Sequence, residues 1–334
     1  MNVGIIGFGL MGKQRASDIL DLPMHRLIIL CDNNSDQFKD FDFGTQNNIV
    51  FTNDWKDVIK NKKVELIVIS VPHYLTKEIT CDALMKGKNI LCEKPLGMNP
   101  KEVNIILKTL NRTSGLLEPG FNYRFYPGIL KTKKIIDDGH IGQVRHVRCT
   151  FGHGGRPGMD KEWKINKDLA GGGVLLDPGI HAIDLFRFLF GEICEGFATF
   201  KNTFWKVNAE DNVFLNLHTI NNVFIQSHFS TTEWKNKFRL EIFGDDACVI
   251  ISGRSKAYGP QEVRLTKRWF WLNNEKEKLW VFPKEDVSFK NELLAFINLI
   301  KGNENSILAT PNDASKAIKI IDKLYKYPEE KVKL

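Results

Sequence analysis

Asp177 and His181 stand four residues apart where a glycine-rich stretch gives way to a helix-patterned one, with Asp184 just beyond. A carboxylate at that spacing can share one side of a helix start with an imidazole and orient it, which is how a proton-transfer pair is built. Gly171, Gly172 and Gly173 lead into the pair and let the backbone approach another molecule closely. Asp177 before Pro178 reads as an N-cap and a first helical position, and Ile180, Ile183, Leu185, Phe186 and Leu189 then recur at helical spacing. A plain cap followed by a structural histidine has the same pattern, so the pair's chemistry depends on which groups join it.

Lys94 is the next candidate. It leaves an apolar strand, 88–92, through Glu93-Lys94-Pro95. A lysine at the carboxyl end of a strand can hydrogen-bond a substrate hydroxyl and shuttle its proton; the plain alternative is a surface lysine in a turn. Near the start, Gly7-Phe8-Gly9-Leu10-Met11-Gly12 follows a short apolar run and opens a helix. These glycines suit a tight turn, a close approach by a pyrophosphate and tight helix–strand packing, with the helix N-terminus facing the phosphates. Asp32 ends the second strand, 20 residues past Gly12, where a carboxylate holds ribose hydroxyls and disfavours a 2′-phosphate. NAD is therefore expected rather than NADP, with Lys13 and Arg15 as cations able to offset the preference; a turn-forming Asp32 is the alternative.

The elements that must position these groups alternate. Strands are expected at 2–7, 27–31, 48–51, 64–71, 88–92 and from 116, with helices to Leu20, over 54–60, to Lys86 and over 100–112. That order predicts a doubly wound parallel α/β sheet with its ligands at the strands' carboxyl ends. Ser70, Pro72, His73, Glu93, Lys94 and Asn122 fall at those ends and are expected at the cofactor, with Gly7 to Gly12 and Asp32. From Tyr123 the character changes to a helix over 127–138 and strands at 143–151, 193–204, 210–219, 222–231, 237–244, 247–252 and 262–271. A second, α+β domain with a large, mostly antiparallel open sheet is expected over 123–334, after a dinucleotide-binding domain over 1–122. Helices over 288–301 and 312–325 close it. The open sheet predicts self-association as a homodimer or homotetramer.

Composition sets the outer bounds. With 334 residues, 43% hydrophobic, 26% charged and a net charge of +7 without charge blocks, the chain is an ordinary globular one and carries no nucleic-acid signature. Six cysteines lack CxxC or zinc-like spacing, so buried thiols in a reducing compartment and no metal site are expected. No apolar run approaches the ~18 residues of a membrane helix. The chain opens directly on a strand, and a cytoplasmic location is expected.

Taken together, Gly7–Gly12, Glu93-Lys94-Pro95, Gly120-Phe121-Asn122-Tyr123-Arg124-Phe125, the Gly171–His181 loop and Glu210-Asp211 resemble the Gfo/Idh/MocA oxidoreductases over nearly the whole chain. The resemblance implies NAD(P)-dependent oxidation of a secondary alcohol on a sugar, nucleotide sugar or polyol. It implies Lys94, Asp177 and His181 as the catalytic set: His181 as base, Asp177 orienting or relaying, and Lys94 polarising the oxygen. It also implies a cis Lys94–Pro95 bond. Pro72-His73-Tyr74 departs from the family, where an Asn often follows the proline. Tyr123, Arg124, His153, Arg156 and Trp163 lie where relatives contact substrate, and an arginine there would suit an anionic sugar. The same fold also carries NAD-using glycosidases and cofactor-binding regulators; these predict, respectively, sugar release without net NADH and no turnover.

Overall fold

The computed structural model describes residues 1–46, 48–268 and 277–334. They form two compact units, Met1–Asn122 with Phe289–Ile318, and Tyr123–Ser288 with Lys319–Leu334.

The first unit alternates β1 (Asn2–Ile6), α1 (Leu10–Leu20), β2 (Arg26–Cys31), β3 (Val50–Thr52), α2 (Trp55–Lys60), β4 (Leu66–Ile69), α3 (His73–Met85), β5 (Asn89–Glu93), α4 (Pro100–Leu110) and β6 (Leu117–Gly120). Local chemistry sets the helix starts. The Asp54 side chain accepts the Lys56 N–H, and Asn99 accepts the Glu102 N–H ahead of Pro100. The strands pair in parallel in the order β3-β2-β1-β4-β5-β6. All four residues of β4 are buried, as a strand covered on both faces requires. Strand order reverses between β1 and β4, which opens a crevice at their carboxyl ends, beside Gly7 and Ser70.

The unit does not close at Asn122. Arg15, fully buried, donates through Nε to Glu93 Oε1 at 2.8 Å, through Nη2 to Glu292 Oε2 at 2.6 Å and through Nη1 to the Phe289 carbonyl at 3.2 Å. Glu292 lies in α8 (Ser288–Ile300), which the sequence analysis assigned to the second domain. A buried guanidinium needs anionic partners, and this one takes one of them from 277 residues downstream.

The second unit contains α5 (Pro127–Asp137), β7 (Val144–Gly152), α6 (Lys167–Ala170), α7 (Gly179–Phe190), β8 (Ile193–Lys201), β9 (Asn212–Thr219), β10 (Phe224–Ser230), β11 (Lys237–Gly244), β12 (Ala247–Ser252), β13 (Glu262–Lys267), β14 (Glu277–Val281), the end of α9 (Pro311–Lys326) and β15 (Val332–Lys333). Nine strands run in the order β14-β13-β12-β11-β7-β10-β9-β8-β15. Every pairing is antiparallel except β10 with β7. The strands β14 and β15 were not expected, and of the strand expected over 262–271, residues 269–271 lie outside the described residues. Along β7, β9, β10 and β11 alternate residues are buried, so one face is core. The other face carries aromatic–imidazole stacks, Phe214 on His228 with ring centres 4.4 Å apart and His146 on Phe243 at 4.4 Å. All six cysteines are free thiols. Among the described residues no helix is long and apolar enough to cross a membrane, and no His/Cys/Asp/Glu group could hold a metal.

Candidate functional site

In the first unit the glycine turn is built from steric necessity. Gly7 has φ +88°, and a Cβ there would stand 2.4 Å from the Ser70 carbonyl oxygen. A Cβ on Gly12 would come within 2.1 Å of the Gly7 carbonyl oxygen. The Ser70 hydroxyl donates to that same carbonyl at 2.6 Å, so Ser70 fixes the turn. Gly9, by contrast, faces open space within 4 Å of its Cβ position. It caps α1 without a side-chain hydrogen bond, and the first turn holds no acid. Bare backbone and the positive end of a helix dipole fit an anionic pyrophosphate.

Asp32 accepts the Phe8 N–H at 2.6 Å and the Asn34 N–H at 2.9 Å. A carboxylate offers about four acceptor positions, so ribose hydroxyls fit beside these two donors. The Phe8 ring is buried among Phe38, Phe41 and Phe43, an aromatic cluster the sequence analysis did not anticipate, so Phe8 offers backbone at this point. Pro72 is the N-cap of α3 and His73, buried, is its first residue. Asn122 is buried at the end of the unit. Glu93, expected at the cofactor, gives Oε1 to Arg15. Arg15, expected as a cation able to meet a 2′-phosphate, is sealed between Glu93 and Glu292 and reaches no phosphate. Lys94 is half-buried at the end of β5, and its bond to Pro95 is cis.

In the second unit His181 is buried on α7 and lies flat on Tyr123, with ring centres 3.8 Å apart and planes 3° apart. The Tyr123 hydroxyl accepts from Arg254 Nη1. Burial pushes the Tyr123 phenol well above its ordinary value, against the opposing pull of Arg254. The helix begins one residue later than the sequence pattern suggested: Pro178 is its N-cap, Gly179 its first residue, and the Asp177–Pro178 bond is cis. Asp177 therefore stands outside the helix rather than capping it. Its Oδ2 is 3.4 Å from Lys164 Nζ, and its charge bears on His153, Tyr123 and Tyr258.

The loop that carries Asp177 is strapped down by Glu210. Its carboxylate accepts the Gly173 and Leu175 N–H groups at 3.0 Å each and the Tyr325 hydroxyl at 2.5 Å. Burial raises the Glu210 carboxyl above its usual range, with these donors pulling the other way. Next along the chain, Asp211 accepts N–H groups from Thr203, Phe204 and Trp205. Trp205 in turn packs where a Cβ on Gly155 would stand. Glu210 and Asp211 thus hold the two loops around Asp177 and His153.

The residues expected at the substrate divide. His153 accepts the Gly155 N–H at Nδ1, 3.0 Å away, and burial lowers its pKa, with Asp177 opposing and Arg156, Arg254 and Lys164 assisting. Trp163 is half-buried beside Lys164. Arg124, however, is buried in a two-pronged bond to Asp184, Nε to Oδ2 at 2.8 Å and Nη2 to Oδ1 at 2.5 Å. Arg156 forks in the same way onto Glu162, at 2.8 and 2.5 Å. Both guanidiniums already have an acid. Arg254 and Tyr258 were missed: they sit in an irregular stretch after β12 with no periodicity or motif, and only the tertiary fold brings them to Tyr123. In the first unit this leaves a dinucleotide cradle; in the second, an acid, two imidazoles and two phenols share one neighbourhood, a setting for moving a proton.

Residues 1–121 match a family model described as an oxidoreductase family with an NAD-binding Rossmann fold, and residues 129–250 match the model of the GFO/IDH/MocA C-terminal domain. Levoglucosan dehydrogenase of Pseudarthrobacter phenanthrenivorans is 30% identical over 204 residues, 58% of this chain and 52% of that protein. Inositol 2-dehydrogenase of Rhizobium meliloti is 35% identical over 129 residues, 39% of this chain and 37% of that protein. The matches to these two thus span 52%, about half, and 37% of the relatives' lengths. A solved structure of levoglucosan dehydrogenase in complex with NADH and levoglucosan superposes with a TM-score of 0.86 at 22% identity, covering 100% of this chain and 99% of that one. This last likeness is one of fold.

Proposed function

The chain belongs to the Gfo/Idh/MocA family of oxidoreductases, and from that premise we propose that it oxidises a secondary alcohol of a sugar or polyol with NAD. The observation that carries this reading is His181 held flat on Tyr123, at the head of the helix that follows Asp177, in a chain whose first unit is an NAD-binding Rossmann fold. Gly7 to Gly12 would hold the pyrophosphate and Asp32 the adenosine ribose. Bound NAD supplies the hydride acceptor. His181 takes the hydroxyl proton as the carbon gives up its hydride, Asp177 orients the imidazole or relays the proton, and the Lys94 ammonium polarises the substrate oxygen. His153 and Trp163 contact the sugar. Enzymes of the levoglucosan and inositol dehydrogenase type support a sugar or polyol as the substrate class.

The test is NADH formation by purified protein across a panel of sugars, inositols and nucleotide sugars. Lys94→Ala and His181→Ala should each lower kcat by about 10²–10⁴-fold while leaving NADH affinity within a few-fold. Unchanged turnover in either variant refutes its assigned role. Free sugar released from a glycoside without net NADH would replace the reading with the glycosidase one. We further propose that copies of the chain associate through the open face of the nine-stranded sheet, where Phe214 and Phe224 are exposed.

A further inference from the structure

Arg254 follows β12 in Ser252-Gly253-Arg254-Ser255, and its guanidinium is set among rings. It lies 4.2 Å from the centre of Tyr258, 4.8 Å from that of Tyr123 and 5.3 Å from that of Phe151. It donates to the Tyr123 hydroxyl through Nη1 and hydrogen-bonds Tyr258, while Nε is buried with no hydrogen-bond partner. Among the described residues it makes no ion pair with a carboxylate. Its neighbours in the chain's second unit differ in this respect. Arg124 has Asp184, Arg156 has Glu162, Lys164 has Asp177 and Arg187 has Glu192. A guanidinium cannot shed its proton, and a charge taken out of water without a counter-ion is costly.

Around His153 the cations outnumber the acids. The charges bearing on His153 are one carboxylate, Asp177, and three cations, Arg156, Arg254 and Lys164. Two of those cations are paired with acids; Arg254 is not, and the carboxylate of Asp286, whose charge bears on it, accepts from the Tyr126 hydroxyl at 2.9 Å. The phenols beside it complete an anion-binding group: as their oxygens accept from the guanidinium, their own protons remain to donate. Burial raises both Tyr123 and Tyr258 above the ordinary phenol value, so both keep those protons at neutral pH.

We propose that Arg254, with the hydroxyls of Tyr123 and Tyr258, receives an anionic group of the substrate, a carboxylate or a phosphate ester, so that the sugar oxidised is an acidic one. This rests on the dehydrogenase reading. It moves anion recognition from Arg156, which Glu162 occupies, to a residue with no sequence signature. The rival explanation is mechanical: Arg254 braces Tyr123, and through it the ring stack under His181.

Matched substrates separate the two. NADH formation by the full chain is measured with D-glucuronate, D-glucose 6-phosphate and D-glucose, and with the galacto and manno counterparts. For the wild type, an anionic member should exceed its neutral counterpart in kcat/KM by at least about tenfold, the usual worth of a hydrogen-bonded charge. Arg254→Gln should abolish that ratio mainly through KM, and Arg254→Lys should keep part of it. Preference for the acid over the phosphate ester, or the reverse, identifies the group. A wild type indifferent to charge overturns the proposal, as does a ratio that survives Arg254→Gln while both rates fall alike; the latter result marks the brace. If no sugar of either kind reduces NAD, it is the dehydrogenase reading that fails. Calorimetry on the NADH-loaded chain then decides the anion site: D-glucuronate or D-glucose 6-phosphate binding that Arg254→Gln removes supports it, and no binding overturns it.

Discussion

Asp32 shows how one side chain carries two duties. Its carboxylate holds the Phe8 N–H, which shapes the glycine turn, and in the function proposed above its remaining acceptor positions take a ribose. Arg15, one of the two cations able to offset a preference for NAD, is paired with Glu93 and Glu292. We therefore expect Asp32→Ala to weaken NAD by about tenfold to a hundredfold, the loss of one or two hydrogen bonds to a charged acceptor, and to narrow the gap to NADP. Steady-state KM values for the two cofactors check this; an unchanged NAD/NADP ratio would show that the ribose is held elsewhere. At this scale residue identity was legible and residue occupation was not. Arg15, Arg124 and Arg156 are equally cationic in the sequence, yet Arg15 and Arg124 are committed to acids that only the fold brings near, and Arg156 to Glu162, six residues on.

The loops between elements are governed by two consecutive acids. Glu210 holds the glycine-rich strap before α7, and Asp211 gathers the N–H groups of residues 203–205. Burial raises the Asp211 carboxyl, but the N–H donors of Phe204, Thr203 and Trp205 and the Asn212 amide outweigh it, and the net shift is downward from 3.8. A carboxyl lowered by folding adds stability that is fully present above its unfolded value and is lost as the pH falls through the folded one. Thermal melting of the wild type should therefore decline more steeply from about pH 4 downward than that of Asp211→Asn, which titrates nothing at this position. Parallel declines would show that Asp211 is not the titrating group. The pairing Glu210-Asp211 was visible as a motif, but its work as two backbone clamps was not: Asp211 closes on residues 6 to 8 positions back, while Glu210 closes on a loop 35 to 37 residues away, which no local pattern reveals.

At the scale of the molecule, the open sheet presents aromatic rings on its outer face. Phe214 and Phe224 are exposed on adjacent strands, each stacked on or tilted against a histidine of its partner strand. A stable interface between copies buries roughly 1,600 Å², and such a sheet face supplies aromatic anchors for one. Light scattering should report a dimer or tetramer for the wild type and a smaller species for Phe214→Glu. A wild-type monomer at micromolar concentration would remove this reading.

The sequence by itself determined the order of the elements over residues 1–122, their parallel sheet and the glycine turn. Those follow from short-range rules: alternation and periodicity of apolar residues, caps, and glycines where a Cβ has no room. It also placed Lys94 at the end of its strand and Asp177 and His181 around the start of α7. Only the tertiary structure decided which charges are satisfied. Glu292 returns to Arg15 across most of the chain, Asp184 claims Arg124, and Arg254 arrives among three rings without an ion-paired carboxylate among the described residues. Ion pairing and ring packing depend on distance in space, and sequence separation carries no record of it.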